Sequence, residues 1–164
     1  MKKLDVRKLV AAALLAALAC AATFISIPYG IGYLNLGDCF VLLSGWLLGP
    51  VYGAFAGGIG PMLADVFMGY YVYAPATLVI KMLMAVAAYF AAKAFSSKRL
   101  AASVVSGVCA EAVMVLGYFL YETILYGVGS AVPGLLFNSI QGVAGILCAV
   151  LLKEFNDRKR IWKY

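Results

Sequence analysis

The sequence predicts an all-α membrane protein, a bundle of six transmembrane helices with its N- and C-termini on the cytoplasmic side. Three observations carry this expectation. Of the 164 residues, 65% are hydrophobic and 12% charged, against about 25% charged in a soluble domain. Mean hydropathy is +0.99, so lipid must be the solvent for most of the chain. At about 20 residues per crossing, six helices and their connections fill residues 1–164 as one domain. Finally, twelve of the thirteen Lys and Arg fall in three clusters: Lys2, Lys3, Arg7 and Lys8; Lys93, Lys98 and Arg99; and Lys153, Arg158, Lys159, Arg160 and Lys163. No basic residue lies between Lys8 and Lys81. Six crossings put all three clusters on one side, which the positive-inside rule makes cytoplasmic. The same distribution explains the net charge of +6 without nucleic acid.

The first helix is expected from about Lys8 to Ile27, ending before Pro28. Its basic start and small-residue end resemble a signal peptide, but the rest of the chain is equally apolar, so we read it as a retained helix. Ala12/Ala16, Ala13/Ala17 and Ala17/Ala21 give it small-xxx-small spacings that permit close helix approach. The connection Pro28 to Gly37 carries Tyr29, Gly30, Gly32, Tyr33 and Asn35. The second helix, from about Asp38 to Leu48, is short: some 11 residues rise about 16 Å, half the ~30 Å hydrocarbon thickness. The connection before it is therefore expected to dip into the outer leaflet and line or lid a pocket, since irregular backbone at that depth must face protein or a cavity.

Gly49-Pro50 separates the third helix, Pro50 to Met68, which is rich in glycine and alanine. A turn with Gly69, Tyr70, Tyr71 and Tyr73 leads to the fourth, Ala74 to Ala94. The fifth is expected over about Ala101 to Tyr126. An outer turn, Gly127 to Pro133, precedes the sixth, Gly134 to Phe155. Tyrosines 29, 33, 70, 71, 73, 121 and 126 gather at the outer level, where a belt of amphipathic rings is expected.

Polar groups inside a bilayer are costly and point to function. Asp38, Asp65, Lys81, Glu111, Glu122, Asn138 and Gln141 are the intramembrane set. Lys81 is expected to form a structural ion pair with Asp65 or Glu111, with Asp65 the first choice, or else to touch substrate. On the fifth helix Glu111, Tyr118 and Glu122 share a face within about 20°. On the sixth, Asn138 and Gln141 are adjacent, as pocket groups or as interhelical hydrogen bonds. Cys20, Cys39, Cys109 and Cys148 match no metal or redox spacing, and there is no histidine, so neither a metal site nor a cofactor is expected. Ser44 and Ser139 lack a histidine partner for nucleophilic catalysis. A stand-alone ion-coupled carrier is the competing reading, since intramembrane acids serve proton relays, but no inverted repeat is visible.

Asn35-Leu36-Gly37-Asp38, Leu48-Gly49-Pro50, Gly57-Gly58-Ile59-Gly60, Ala64-Asp65 and Tyr73-Ala74-Pro75-Ala76-Thr77-Leu78-Val79-Ile80-Lys81 occur in that order. This succession resembles the substrate-binding S components of energy-coupling factor (ECF) vitamin transporters, nearest the riboflavin or hydroxymethylpyrimidine branch, most strongly over residues 8–95. The resemblance implies a six-helix subunit of the bacterial cell membrane, not an enzyme. Such a subunit captures a vitamin or precursor (hydroxymethylpyrimidine, pyridoxine-like or riboflavin-like) from outside. It implies as partners a transmembrane coupling subunit, onto which Ala13 and Ala17 would dock, and two ATPase subunits. It also implies a pocket in the outer half, where Asn35, Lys81, Tyr118, Glu122, Asn138 and Gln141 fall. Acids outnumber Lys81 there, which favours a neutral or cationic ligand over a carboxylate.

Overall fold

A computed structural model of the chain describes residues 5–30, 32–95 and 99–159. Lys2, Lys3, Lys98, Arg160, Lys163 and the Ser96-Ser97 connection lie outside the described residues. Six helices are described. Helix α1 spans Val6–Phe24. A helical run from Gly37 to Met68 is broken at Gly49 into α2 (Gly37–Leu48) and α3 (Pro50–Met68). Then follow α4 (Ala74–Ala94), α5 (Arg99–Tyr126) and α6 (Val128–Lys159). All but α2 are long and apolar enough to cross a membrane.

Local chemistry sets the boundaries. The Asp5 carboxylate caps α1 by accepting from the Arg7 and Lys8 amides at 3.1 and 3.4 Å, satisfying donors that a helix start leaves open. Between α2 and α3, Gly49 takes φ 83°, ψ −176°, a backbone state open only to glycine, and Pro50 then opens α3 with no amide to satisfy. Pro75 sits likewise in the first turn of α4.

Two expected boundaries are corrected. α1 stops at Phe24, not Ile27, because two strands of a hairpin follow it: β1 (Ser26–Tyr29) pairs antiparallel with β2 (Gly32–Asn35) in the register Ser26–Asn35, Ile27–Leu34, Pro28–Tyr33 and Tyr29–Gly32. Proline disfavours helix at the residue before it, so Ile27 is already extended. The turn expected over 127–133 shrinks to Gly127, at φ 82°. The Ser130 and Ala131 amides both return to the Gly127 carbonyl, so helix resumes at Val128 and absorbs Pro133.

The bundle packs through its small residues. α2 crosses α4 where Gly45 meets the Ala85 carbonyl, and α3 crosses α1 where Gly60 meets the Ala16 carbonyl. A side chain at either glycine would collide with backbone. In a bilayer, where lipid is as apolar as leucine, such close approach supplies much of the association energy. The core between α1, α2, α4 and α5 is filled by Leu15, Val41, Leu42, Met84 and Met114. The outside is covered by apolar side chains such as Leu14, Phe55, Phe67, Leu83, Leu120 and Ile124.

Candidate functional site

At the hairpin end of the bundle lies a narrow polar pocket with a cavity volume of about 30 Å³. The hairpin contributes Gly32, Tyr33 and Asn35, α3 contributes Asp65, and the turn after it Tyr70 and Tyr73. Thr77 of α4, Tyr118 and Glu122 of α5, and Asn138 and Gln141 of α6 complete the wall.

The floor is a polar chain running from α4 to the hairpin. Lys81 forms an ion pair with Asp38 Oδ1, the two side chains being 3% and 0% exposed. Gln141 donates through Nε2 to Asp38 Oδ2 at 2.6 Å. Its carbonyl accepts from the Asn35 amide at 2.9 Å and the Asn35 side-chain NH₂ at 3.2 Å. Asn35 Oδ1 in turn accepts from the Gly37 amide at 2.7 Å, closing the step from β2 into α2. Every group has its partner, as a buried polar network requires. The Tyr118 ring covers this floor, its centroid 5.5 Å from Lys81 Nζ, and its hydroxyl lies 2.9 Å from Thr77 Oγ1.

The expected Asp65–Lys81 pair is therefore corrected: Lys81 pairs with Asp38. Depth is the reason. Lys81 is seven residues into α4, about 10 Å along its axis, whereas Asp65 is three residues from the end of α3, about 5 Å. The 12-residue α2 rises only about 18 Å, so it starts part-way down the bundle and carries Asp38 to the level of Lys81. Asp38 also lies in the first turn of α2, where the helix dipole favours a carboxylate. Asp65 instead accepts from the Tyr33 hydroxyl. Burial, and then the Asp65 charge, push the Tyr33 phenol well above its usual range, so it stays a donor.

Lys81 lies beneath Tyr118 and is not part of the wall; the other five residues expected at the site are brought together around the pocket. Tyr33 lines the pocket as part of the connection expected to do so, whereas Tyr70, Tyr73 and Thr77 are additions that sequence reasoning does not single out. Tyr70 and Tyr73 fit an interfacial belt equally well; their signal is the clustering of rings in the short turn between α3 and α4. Glu111 lies away from the pocket. It is 5% exposed, neither carboxylate oxygen has a hydrogen-bond partner, and it fills notches left by Gly142 and Gly145 beside Asp38. Ala13 and Ala17 are exposed on the outside of α1, where with Ala16, Cys20, Ala21, Phe24 and Leu63 they line a shallow apolar trough. Among the described residues no group of three or more His, Cys, Asp or Glu is placed to hold a metal.

Residues 3–155 match the family model "ECF-type riboflavin transporter, S component". A protein of Pyrococcus woesei, described as an uncharacterized protein in a gap 3′ region, is 42% identical over 125 residues, 75% of this chain and 81% of that one. Two solved structures share the fold. One, the S component of a bacterial ECF transporter, superposes with a TM-score of 0.68 at 20% identity, covering 94% of this chain and 98% of its own. The other, the S component for biotin from an ECF-type ABC transporter, gives 0.68 at 18% identity over 96% and 94%.

Proposed function

The chain belongs to the family of ECF-type riboflavin transporter S components, multi-pass membrane transport subunits rather than enzymes, and on that premise we propose that its pocket captures a vitamin or vitamin precursor for import. The ligand is a hydroxymethylpyrimidine-, pyridoxine- or riboflavin-like ring. Its partners are a transmembrane coupling subunit and two ATPase subunits, which supply the energy for import. The observation that carries the reading is the pocket itself. Aromatic faces and a few fixed polar groups converge there from β2, α3, α4, α5 and α6, the usual composition of a small-molecule site. The hairpin is tethered to the floor through Asn35 and Gln141.

In this reading the hairpin end faces outside and both termini face the cytoplasm. Cysteines placed at Gly129 or Ser130 are expected to react with an impermeant maleimide in intact cells. Cysteines at Ser96 or Ser97 are expected to react only after permeabilisation. Reversed labelling at either place overturns the orientation.

Capture is tested by titrating candidate vitamins, together with any small molecule that mass spectrometry finds carried through purification. Asn138→Ala and Gln141→Ala each remove a neutral hydrogen-bonding group, and Glu122→Gln a charged one. At about 0.5–1.5 kcal/mol for a neutral bond and up to about 3 for a charged one, affinity is expected to fall roughly 2- to 150-fold. The melting temperature in detergent should change little for Glu122→Gln. Gln141→Ala should also loosen the hairpin. Wild-type affinity in all three variants places the ligand elsewhere.

A further inference from the structure

Away from the polar pocket, a second cavity of about 190 Å³ opens on the flank of the bundle between α1 and α6. Phe40, Leu43 and Leu47 of α2 form its floor, their spacings of three, four and seven residues setting them on one face. Leu15 and Leu18 of α1 make one wall, and Leu152 and Phe155 of α6 the other. Leu18 is 37%, Leu152 42% and Phe155 53% exposed, so the rims are open and the groove faces lipid. Asn156 is its one polar lining residue, a turn from the end of α6.

Both helix ends below this groove are basic. Lys8 lies seven residues before Leu15, and Lys159 seven after Leu152. On a helix that places each about 10 Å nearer the terminus and within about 20° of the same face. Arg7 stands in the same relation to Leu18, eleven residues on. Each wall of the groove therefore continues into a basic side chain. The positive-inside rule accounts for the side of the membrane on which these residues fall, but not for their register with the groove. The nearby carboxylates are turned elsewhere. Asp5 caps the α1 amides and Asp157 pairs with Lys153 at 3.7 Å. Glu154 and Asp157 fall about 140–160° round α6 from Lys159.

From this match we infer that the groove holds an acyl chain of one anionic phospholipid, whose phosphate rests on Lys8 and Lys159 with Arg7 beside them. An apolar channel ending in positive charge is complementary to an amphiphile with an anionic head. A soluble anion makes no use of the leucine walls, and an apolar helix none of the lysines. Bulk lipid is as apolar as the groove, so the chain gains packing contacts there, and the choice of lipid is made by the headgroup. Basic residues at the cytoplasmic ends of membrane helices attract anionic lipid in this way. The inference goes beyond the capture reading and does not depend on it. In the orientation proposed above, the lipid belongs to the cytoplasmic leaflet. By filling the gap between the first and last helices it ties the two sides of the bundle together.

The test titrates the purified chain in detergent with dioleoyl phosphatidylglycerol, dioleoyl phosphatidylcholine and glycerol phosphate, followed by native mass spectrometry and thermal melting. Phosphatidylglycerol is expected to bind one per chain and to raise the melting temperature. Its affinity should exceed that of phosphatidylcholine about tenfold or more, the scale two lysines supply beside an anionic headgroup. Glycerol phosphate, a headgroup without chains, should leave the melting temperature unchanged. Lys8→Gln/Lys159→Gln should melt as wild type without lipid and lose the preference for phosphatidylglycerol. Leu152→Trp, which fills the groove from its exposed rim, should lose the bound lipid although both lysines remain. Lys93→Gln/Arg99→Gln, which removes equal charge at the end of α4 and the start of α5, should bind phosphatidylglycerol as wild type does. Equal affinity for the two lipids overturns the inference, as does unchanged phosphatidylglycerol binding in the Lys8/Lys159 or the Leu152 variant. An equal loss in the Lys93/Arg99 variant also overturns it, since the attraction is then to the basic end as a whole. Glycerol phosphate stabilising as much as the lipid would leave only an anion site. Should Leu152→Trp melt below wild type without lipid, the two paired-charge variants decide.

Discussion

Lys81→Met is expected to destabilise the protein by about 3–5 kcal/mol, the cost of leaving a buried charge without its partner. Two carboxylates create the loss. Asp38 is 0% and Glu111 5% exposed, they lie side by side against Gly145, and Lys81 is the cation paired with Asp38. Removing the ammonium leaves two acids facing each other in a bilayer interior, where no water screens them. Ligand affinity is expected to fall as well, because Asp38 orients Gln141, and Gln141 holds Asn35 of the hairpin. Asp38→Asn/Lys81→Met should recover most of the stability, since the asparagine carbonyl still accepts from Gln141 while the charge is gone. Replacing a whole buried pair by neutral groups is often close to neutral. Thermal melts in detergent on wild type, both single variants and the double variant measure the coupling. Equal melting temperatures for wild type and Lys81→Met would show that the pair contributes nothing to stability.

How far the sequence foretold this arrangement depended on the period and range of each signal. α3 and α4 run from Pro50 to Met68 and from Ala74 to Ala94, as read from the residues, because a proline opens each and Gly69 and the basic end at Lys93 mark where they stop. The helical spacings of Tyr118 with Glu122 and of Asn138 with Gln141 were sufficient to put each pair on one face, and both pairs line the pocket. What stayed hidden was non-local. The pairing of Ser26 with Asn35 joins residues whose alternation is interrupted by Pro28 and two glycines, so no strand period shows. The partner of Lys81 depended on where α2 begins in depth, which follows from the hairpin lifting or lowering its start. The start of α6 was misjudged because Pro133 and the glycines read as a turn, although one glycine at positive φ, Gly127, makes the whole reversal.

Ala13→Trp and Ala17→Trp are expected to abolish uptake and assembly with the coupling subunit, while leaving ligand affinity within about twofold of wild type. α1 shows three environments along consecutive positions, and they make three different predictions. Ala12 is 8% exposed and packed in the core, so Ala12→Trp has no space and should cost the fold, as overpacking does. Leu14 is 49% exposed and already a large lipid-facing side chain, so Leu14→Trp should leave folding, binding and uptake intact. Ala13 and Ala17 are exposed too, but they line the shallow trough bounded by Phe24 and Leu63, where small side chains let a partner helix come close. A tryptophan there meets only lipid in the isolated subunit. In the assembled transporter it holds the two helices apart. Co-purification of the coupling subunit, uptake in cells and titration of ligand on the isolated chain are three separate readouts of one variant. Assembly and uptake at wild-type level in both alanine variants would make the trough an ordinary lipid-facing surface. Loss of ligand binding alongside assembly would show instead that α1 is part of the bundle's own support for the pocket.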